Sequence, residues 1–169
     1  VPSSVTSINY PLIGKDNNML TNLEVPFIGT DVNKPCSYKA FNESYASTIN
    51  LNVTNEMNSA VDNMFADCNI YKLVISIKNI TDKTFENTSI SELYIAKCSS
   101  ISLKALSEIK GLKKLFIPST EVATMIDFDT IFDTNRPKVY LDGQLPENVK
   151  SKEYKSEFKT GTKLEDILK

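Results

Sequence analysis

The chain has 169 residues, 41 % hydrophobic and 24 % charged, with 19 Lys and Arg against 21 Asp and Glu and a formal net charge of -2. That length holds one core or one elongated repeat array, and the charge leaves no excess of cations to neutralise a phosphate backbone, which excludes nucleic acid as the expected partner. There is no histidine, which excludes Ser-His and Cys-His catalysis and histidine metal ligation, and no uncharged apolar run nears the roughly 18 residues of a membrane span.

The opening Val1-Pro2-Ser3-Ser4-Val5-Thr6-Ser7-Ile8 reads as the tail of a repeat, so the chain is expected to be a mature or excised piece of a longer protein. A pattern apolar-x-x-apolar-x-apolar then recurs. It lies at Leu20/Leu23/Val25, Ala46/Ile49/Leu51, Ile70/Leu73/Ile75, Ile90/Leu93/Ile95 and Leu112/Leu115/Ile117, with a weakened copy at Arg136/Val139/Leu141. The middle positions 23, 49, 73, 93, 115 and 139 are 26, 24, 20, 22 and 24 residues apart, the period of leucine-rich repeats. One such unit cannot bury its own apolar side, so the six are expected to stack as adjacent parallel strands with these residues inward.

The segments between strands differ. Residues 26–45, with Pro26, Gly29 and Pro35, read as an extended loop. Met57, Val61, Met64 and Phe65 have near-helical spacing that ends at Cys68. Ser102 and Gly111 suit the N-cap and C′ positions of a helix carrying Leu103, Leu106 and Ile109. Asp127 or Asp129 suits the cap of a turn with Phe128, Ile131 and Phe132, which Arg136-Pro137 ends. After the Asp142-Gly143 turn, residues 150–169 become rich in lysine and glutamate. The helical spacings of Tyr154/Phe158 and Leu164/Ile167/Leu168 predict a polar helical C-terminal cap there. The expected fold is thus an α/β solenoid, an irregular leucine-rich repeat array over residues 1–149. It has a curved parallel sheet of about six short strands, a mixed loop and helix convex side, and a cap over 150–169.

Cys36, Cys68 and Cys98 are odd in number with no CxxC pair, so neither a disulfide framework nor a zinc site is indicated; each reads as a small buried hydrophobe, with a single bridge left open. Asp127-x-Asp129-x-x-x-Asp133 lacks the glycine and glutamate of a calcium loop and reads as helix capping. No cofactor or metal is expected.

Residues between the inward positions of a strand point to the opposite face. They are Glu24, Asn50, Val74, Tyr94, Phe116 and Tyr140, the last four an apolar, mostly aromatic row. Lys72, Glu92, Lys114 and Lys138 flank it on one side, and Ser76, Ala96, Pro118 and Asp142 on the other. A solvent-facing aromatic row with a polar rim has the composition of a partner-binding surface. Val74, Tyr94, Phe116, Tyr140, Lys72, Glu92, Lys114 and Lys138 are therefore the candidate contact residues; aromatics that only stabilise neighbouring strands are the plainer explanation.

Four phrases carry a family resemblance: Val1-Pro-Ser-Ser-Val-Thr-Ser-Ile8, Leu23-Glu-Val-Pro-Phe-Ile-Gly29, Val61-Asp-Asn-Met-Phe-Ala-Asp-Cys68 and Leu115-Phe-Ile-Pro-Ser119. Over residues 1–149 the chain resembles the BspA-like (Treponema pallidum type) leucine-rich repeats of bacterial surface proteins. It departs from them where Arg136 stands at an expected buried leucine. The resemblance implies a secreted or cell-surface protein that acts by binding and carries no shared catalytic residues. The leading expectation is an adhesin-like, non-catalytic module, monomeric or part of a longer chain, that contacts a host or neighbouring-cell protein or glycan through the concave sheet. A spacer in a larger surface protein is the alternative. A glycosidase with paired carboxylates ranks last, because a shallow sheet seldom brings two acids into one cleft.

Overall fold

A computed structural model describes residues 22–25, 50–58, 64–65 and 69–169 of the chain. Nine strands occur among them: β1 (Asn22–Val25), β2 (Asn50–Val53), β3 (Asn69–Ser76), β4 (Asn79–Ile80), β5 (Ser89–Lys97), β6 (Ser100–Ile101), β7 (Lys114–Ile117), β8 (Lys138–Leu141) and β9 (Phe158–Thr160). Seven of them form one open parallel sheet in chain order, β1-β2-β3-β5-β7-β8-β9, and β4 pairs with β6 in a small parallel sheet of its own. The architecture is α/β, a mostly parallel sheet with few and short helices: α1 (Thr120–Thr124), α2 (Phe128–Thr134), α3 (Glu147–Lys150) and α4 (Leu164–Ile167).

The register aligns Leu23, Leu51, Leu73, Leu93, Leu115, Val139 and Phe158 across the seven strands. Leu51, Leu73, Leu93, Leu115 and Val139 are buried, as are Val53, Ile75, Ile95, Ile117 and Leu141 two residues on, so one side of the sheet faces the core. Each fully buried Leu or Ile stabilises by roughly 1.5 to 3 kcal/mol, so these two columns are the main support of the sheet.

The second strand corrects the sequence reading. Its inward position is Leu51, not Ile49, which lies outside the described residues. Ile49 and Leu51 satisfy the same alternation two residues apart, so the pattern fits both registers and only pairing with Leu23 and Leu73 chooses. The central outward residue of this strand is consequently Asn52, opposite Glu24 and Val74, and Asn50 joins Lys72 in the flanking row. A bulge at Ile75/Ser76 also pairs Ser76 with Lys97 rather than with the level of Ala96.

The helix expected between Ser102 and Gly111 is replaced by successive turns. Ala105, Ser107 and Ile109 donate backbone hydrogen bonds to the carbonyls of Ser102, Lys104 and Leu106. Apolar residues three apart suit such three-residue steps as well as a helix. Leu106 and Ile109 are buried while Leu103 is 58 % exposed, outside the predicted apolar stripe. Gly111 does take the left-handed φ of +74° expected of it. Asp127, one of the two expected caps, caps α2, its carboxylate accepting from Thr130 N at 3.2 Å, and Phe128, Ile131 and Phe132 are buried. Arg136 is exposed with φ +51°, because the chain reverses there after the C-cap Asn135. Asn135 then takes over the ladder: its amide donates to Ile109 O at 2.8 Å and its oxygen accepts from Leu112 N at 3.2 Å.

Residues 150–169 lie at the end of the sheet, and besides short helical turns they add a strand to it and pack on the core. A 3-10 helix (Glu153–Glu157) leads into β9, which makes the sheet seven-stranded rather than six. The Tyr154 ring stacks on Phe132 at 4.2 Å and Phe158 meets Phe128 edge-on at 4.9 Å. The physical reason is the aromatic surface left by α2, which needs apolar cover.

Gly143 packs so closely on α1 that an added Cβ would lie 2.9 Å from the Thr120 backbone nitrogen and closer still to its hydroxyl. That hydroxyl cannot turn away freely, because it donates to Gln144 O and accepts from Gln144 N at 2.8 Å. Gly143→Ala is therefore expected to lower stability by about 1 to 3 kcal/mol, the usual cost of overpacking, as read from the urea unfolding midpoint.

Candidate binding face

The side chains that alternate with the core columns lie on the opposite face of the sheet. Register puts Glu24, Asn52, Val74, Tyr94, Phe116, Tyr140 and Lys159 in one row across it. Asn22, Asn50, Lys72, Glu92, Lys114 and Lys138 form the row beside it. The eight candidate contact residues are thus brought together on four adjacent strands.

Their expected exposure is corrected. Tyr94 and Phe116 are each 2 % exposed, although neither belongs to the core cluster. Val74 and Tyr140 are half-buried. In the flanking row Lys138 is exposed, Lys72 and Lys114 are half-buried, and Glu92 is buried at 8 %.

Glu92 survives there because it is fully engaged. Its carboxylate pairs with Lys114 Nζ at 2.8 Å and accepts from the Tyr94 hydroxyl at 2.8 Å. Lys72 Nζ sits 5.3 Å from the centroid of the Tyr94 ring, a cation over a π face. Burial pushes the Glu92 pKa up, but the hydrogen bonds from Lys114 and Tyr94 and the charges of Lys114 and Lys72 outweigh it and hold the carboxyl below its ordinary 4.5. Burial first, then the bond and charge of Glu92, raise the Tyr94 phenol well above its ordinary 10.0, so it stays a donor.

A carboxylate with a depressed folded-state pKa contributes stability that is present above its unfolded value and lost as pH falls through the folded one. Glu92→Gln is expected to cost about 1 kcal/mol at pH 7, the modest size set by water screening of Lys114, whose side chain is 44 % exposed. The gap between wild type and variant should close as pH falls below about 4.5, the ordinary value from which the carboxyl is depressed. Thermal unfolding across pH 3 to 7, in steps of about one unit, checks the sign.

Over β1–β3 the face opens into a groove of about 520 Å³ lined by Asn22, Glu24, Asn50, Leu51, Asn52, Lys72, Val74 and Leu168. Amides link its strands: Asn50 Nδ2 donates to Asn22 Oδ1 at 2.7 Å and Asn52 Nδ2 to Glu24 Oε2 at 3.1 Å. Of these, Lys72 and Val74 were predicted contacts, whereas Asn22, Glu24, Asn50, Leu51, Asn52 and Leu168 were not. The predicted row began at Val74 because the outward residues of the two preceding strands are polar. Nothing in a helical spacing shows which face Leu168 will reach.

No group of three or more His, Cys, Asp or Glu side chains that could hold a metal ion occurs among the described residues. Cys36 and Cys68 lie outside those residues. Cys98 is a half-buried free thiol whose pKa burial pushes up to about 11, against a lowering hydrogen bond to Ser100 O. No described helix is long and apolar enough to cross a membrane. No protein-family model, no curated protein and no solved structure matches the chain.

Proposed function

We propose that this chain is an irregular leucine-rich repeat module of the BspA-like type. It acts without catalysis, as a secreted or cell-surface module that contacts a protein or glycan through the face carrying Val74, Tyr94, Phe116 and Tyr140. The observation that carries this reading is the in-register, chain-order stacking of seven parallel strands. It turns a sequence recurrence into two continuous surfaces, an apolar inner one and an outer one that mixes aromatics with amides and lysines. The groove supports binding over hydrolysis. Glu24 is the one carboxylate among its described lining residues, whereas a glycosidase needs two.

The test is a screen of the whole chain against host matrix proteins and a glycan array, repeated with Lys72→Glu/Asn52→Asp. Saturable binding that weakens by about tenfold or more, a loss of 1.4 kcal/mol, supports the assignment. A second reading, a spacer within a longer surface protein, is favoured by the 2 % exposure of Tyr94 and Phe116. It takes precedence if no ligand in the screen is retained.

A further inference from the structure

Residues 161–169 run onto the outer face. Thr162 N donates to Leu141 O at 3.1 Å and Lys163 Nζ contacts both Asp142 oxygens at 2.7 and 3.0 Å, which fixes the start of the segment at the end of β8. Its far end is fixed too, because Leu168 lines the groove with Lys72 and Val74 of β3. From β8 to β3 is three strand spacings, about 14 Å, within reach of six residues that are part helical and part extended. A direct path between those two ends passes over β7 and β5, and those strands carry Phe116 and Tyr94, the outward aromatics that are buried without joining the core. The segment is built for that position. Leu164, Ile167 and Leu168 are half-buried, Glu165 and Asp166 are exposed, and Gly161 turns the chain at φ +65°.

We infer that residues 161–169 are a displaceable occupant of the outer face. This rests on the binding function proposed above and names its partner class: a short peptide segment of leucine or isoleucine interleaved with carboxylates, which competes with the chain's own Leu164–Leu168. Glu165 and Asp166 are exposed beside the half-buried Leu164, Ile167 and Leu168, and a competing segment carries the same pattern.

Hydroxyl-radical footprinting of the whole chain tests it, with Tyr71, 43 % exposed, as the reactive reference and fully buried Phe85 as the core reference. In wild type Tyr94 and Phe116 should be protected. In Leu164→Asp/Leu168→Asp their labelling should rise by about tenfold, as when an open state populated at one in ten becomes dominant, with Phe85 unchanged. If Phe85 rises as well, Lys163→Glu, a change at an exposed contact, replaces that variant. A synthetic peptide of the sequence 161–169 at about 1 mM should then restore protection, since closure at ten to one with a millimolar effective concentration implies a dissociation constant no weaker than that. Unchanged labelling of Tyr94 and Phe116 with the core intact overturns the occupancy. Deprotection that the peptide does not reverse overturns the partner class. A strap that opens while the screen above stays empty leaves the occupant standing and removes the recognition function.

Discussion

Leu93→Ala is expected to lower stability by about 2 to 5 kcal/mol, the range for a buried leucine that leaves a cavity. Leu93 is fully buried at the middle of the main column, paired in register with Leu73 on β3 and Leu115 on β7. Its removal therefore withdraws contacts from both neighbours at once, and close-packed surroundings relax only partly. Against a total stability of about 5 to 15 kcal/mol, such a loss takes up a large part of what holds the fold. Urea unfolding followed by circular dichroism checks this, and an unchanged midpoint would show that the sheet's inner side is not where the register puts it. Leu103→Ala is the comparison. That side chain is 58 % exposed, and its loss should change stability by less than about 0.5 kcal/mol.

Phe85→Ala should cost about 3 to 5 kcal/mol, the range for a buried phenylalanine. Phe85 lies in the turns after β4, not in the sheet, yet it is fully buried and stacks on Phe65 at 5.5 Å with the rings 9° from parallel. Successive turns are held together by two backbone bonds and one from a side-chain hydroxyl. Phe65 N donates to Thr84 O at 3.2 Å, Thr88 Oγ1 donates to Phe65 O at 2.8 Å, and Lys110 N donates to Thr88 O at 2.8 Å. Truncating the ring removes the apolar fill behind a run of buried polar groups, so the hydrogen-bond ladder loosens with it. The readout is the thermal midpoint together with amide exchange at Phe65 and Lys110. Exchange should quicken at both if the turns act as one unit. A loss of stability with exchange unchanged at those amides would place the cost in the cavity alone.

Alternation and recurrence were legible in the residues alone. Leucine or valine at 73, 93, 115 and 139, each followed two residues later by an apolar residue, required parallel strands in chain order, because side chains alternate with a period of two and one unit cannot close its own core. A cap at Asp127 or Asp129 and a positive φ at Gly111 were also legible, since local geometry demands those residue types, and the bond from Thr130 N selects Asp127. Where local chemistry is degenerate, contacts between distant segments make the choice. Ile49 and Leu51 fit one pattern, and pairing with the neighbouring strands chose Leu51. Apolar residues three apart fit a helix or linked turns, and the bonds to adjacent returns chose turns after Ser102. The arrival of Leu168 at the groove over β1–β3 and the burial of Tyr94 and Phe116 both depend on how segments tens of residues apart come together, which periodicity within either segment cannot encode.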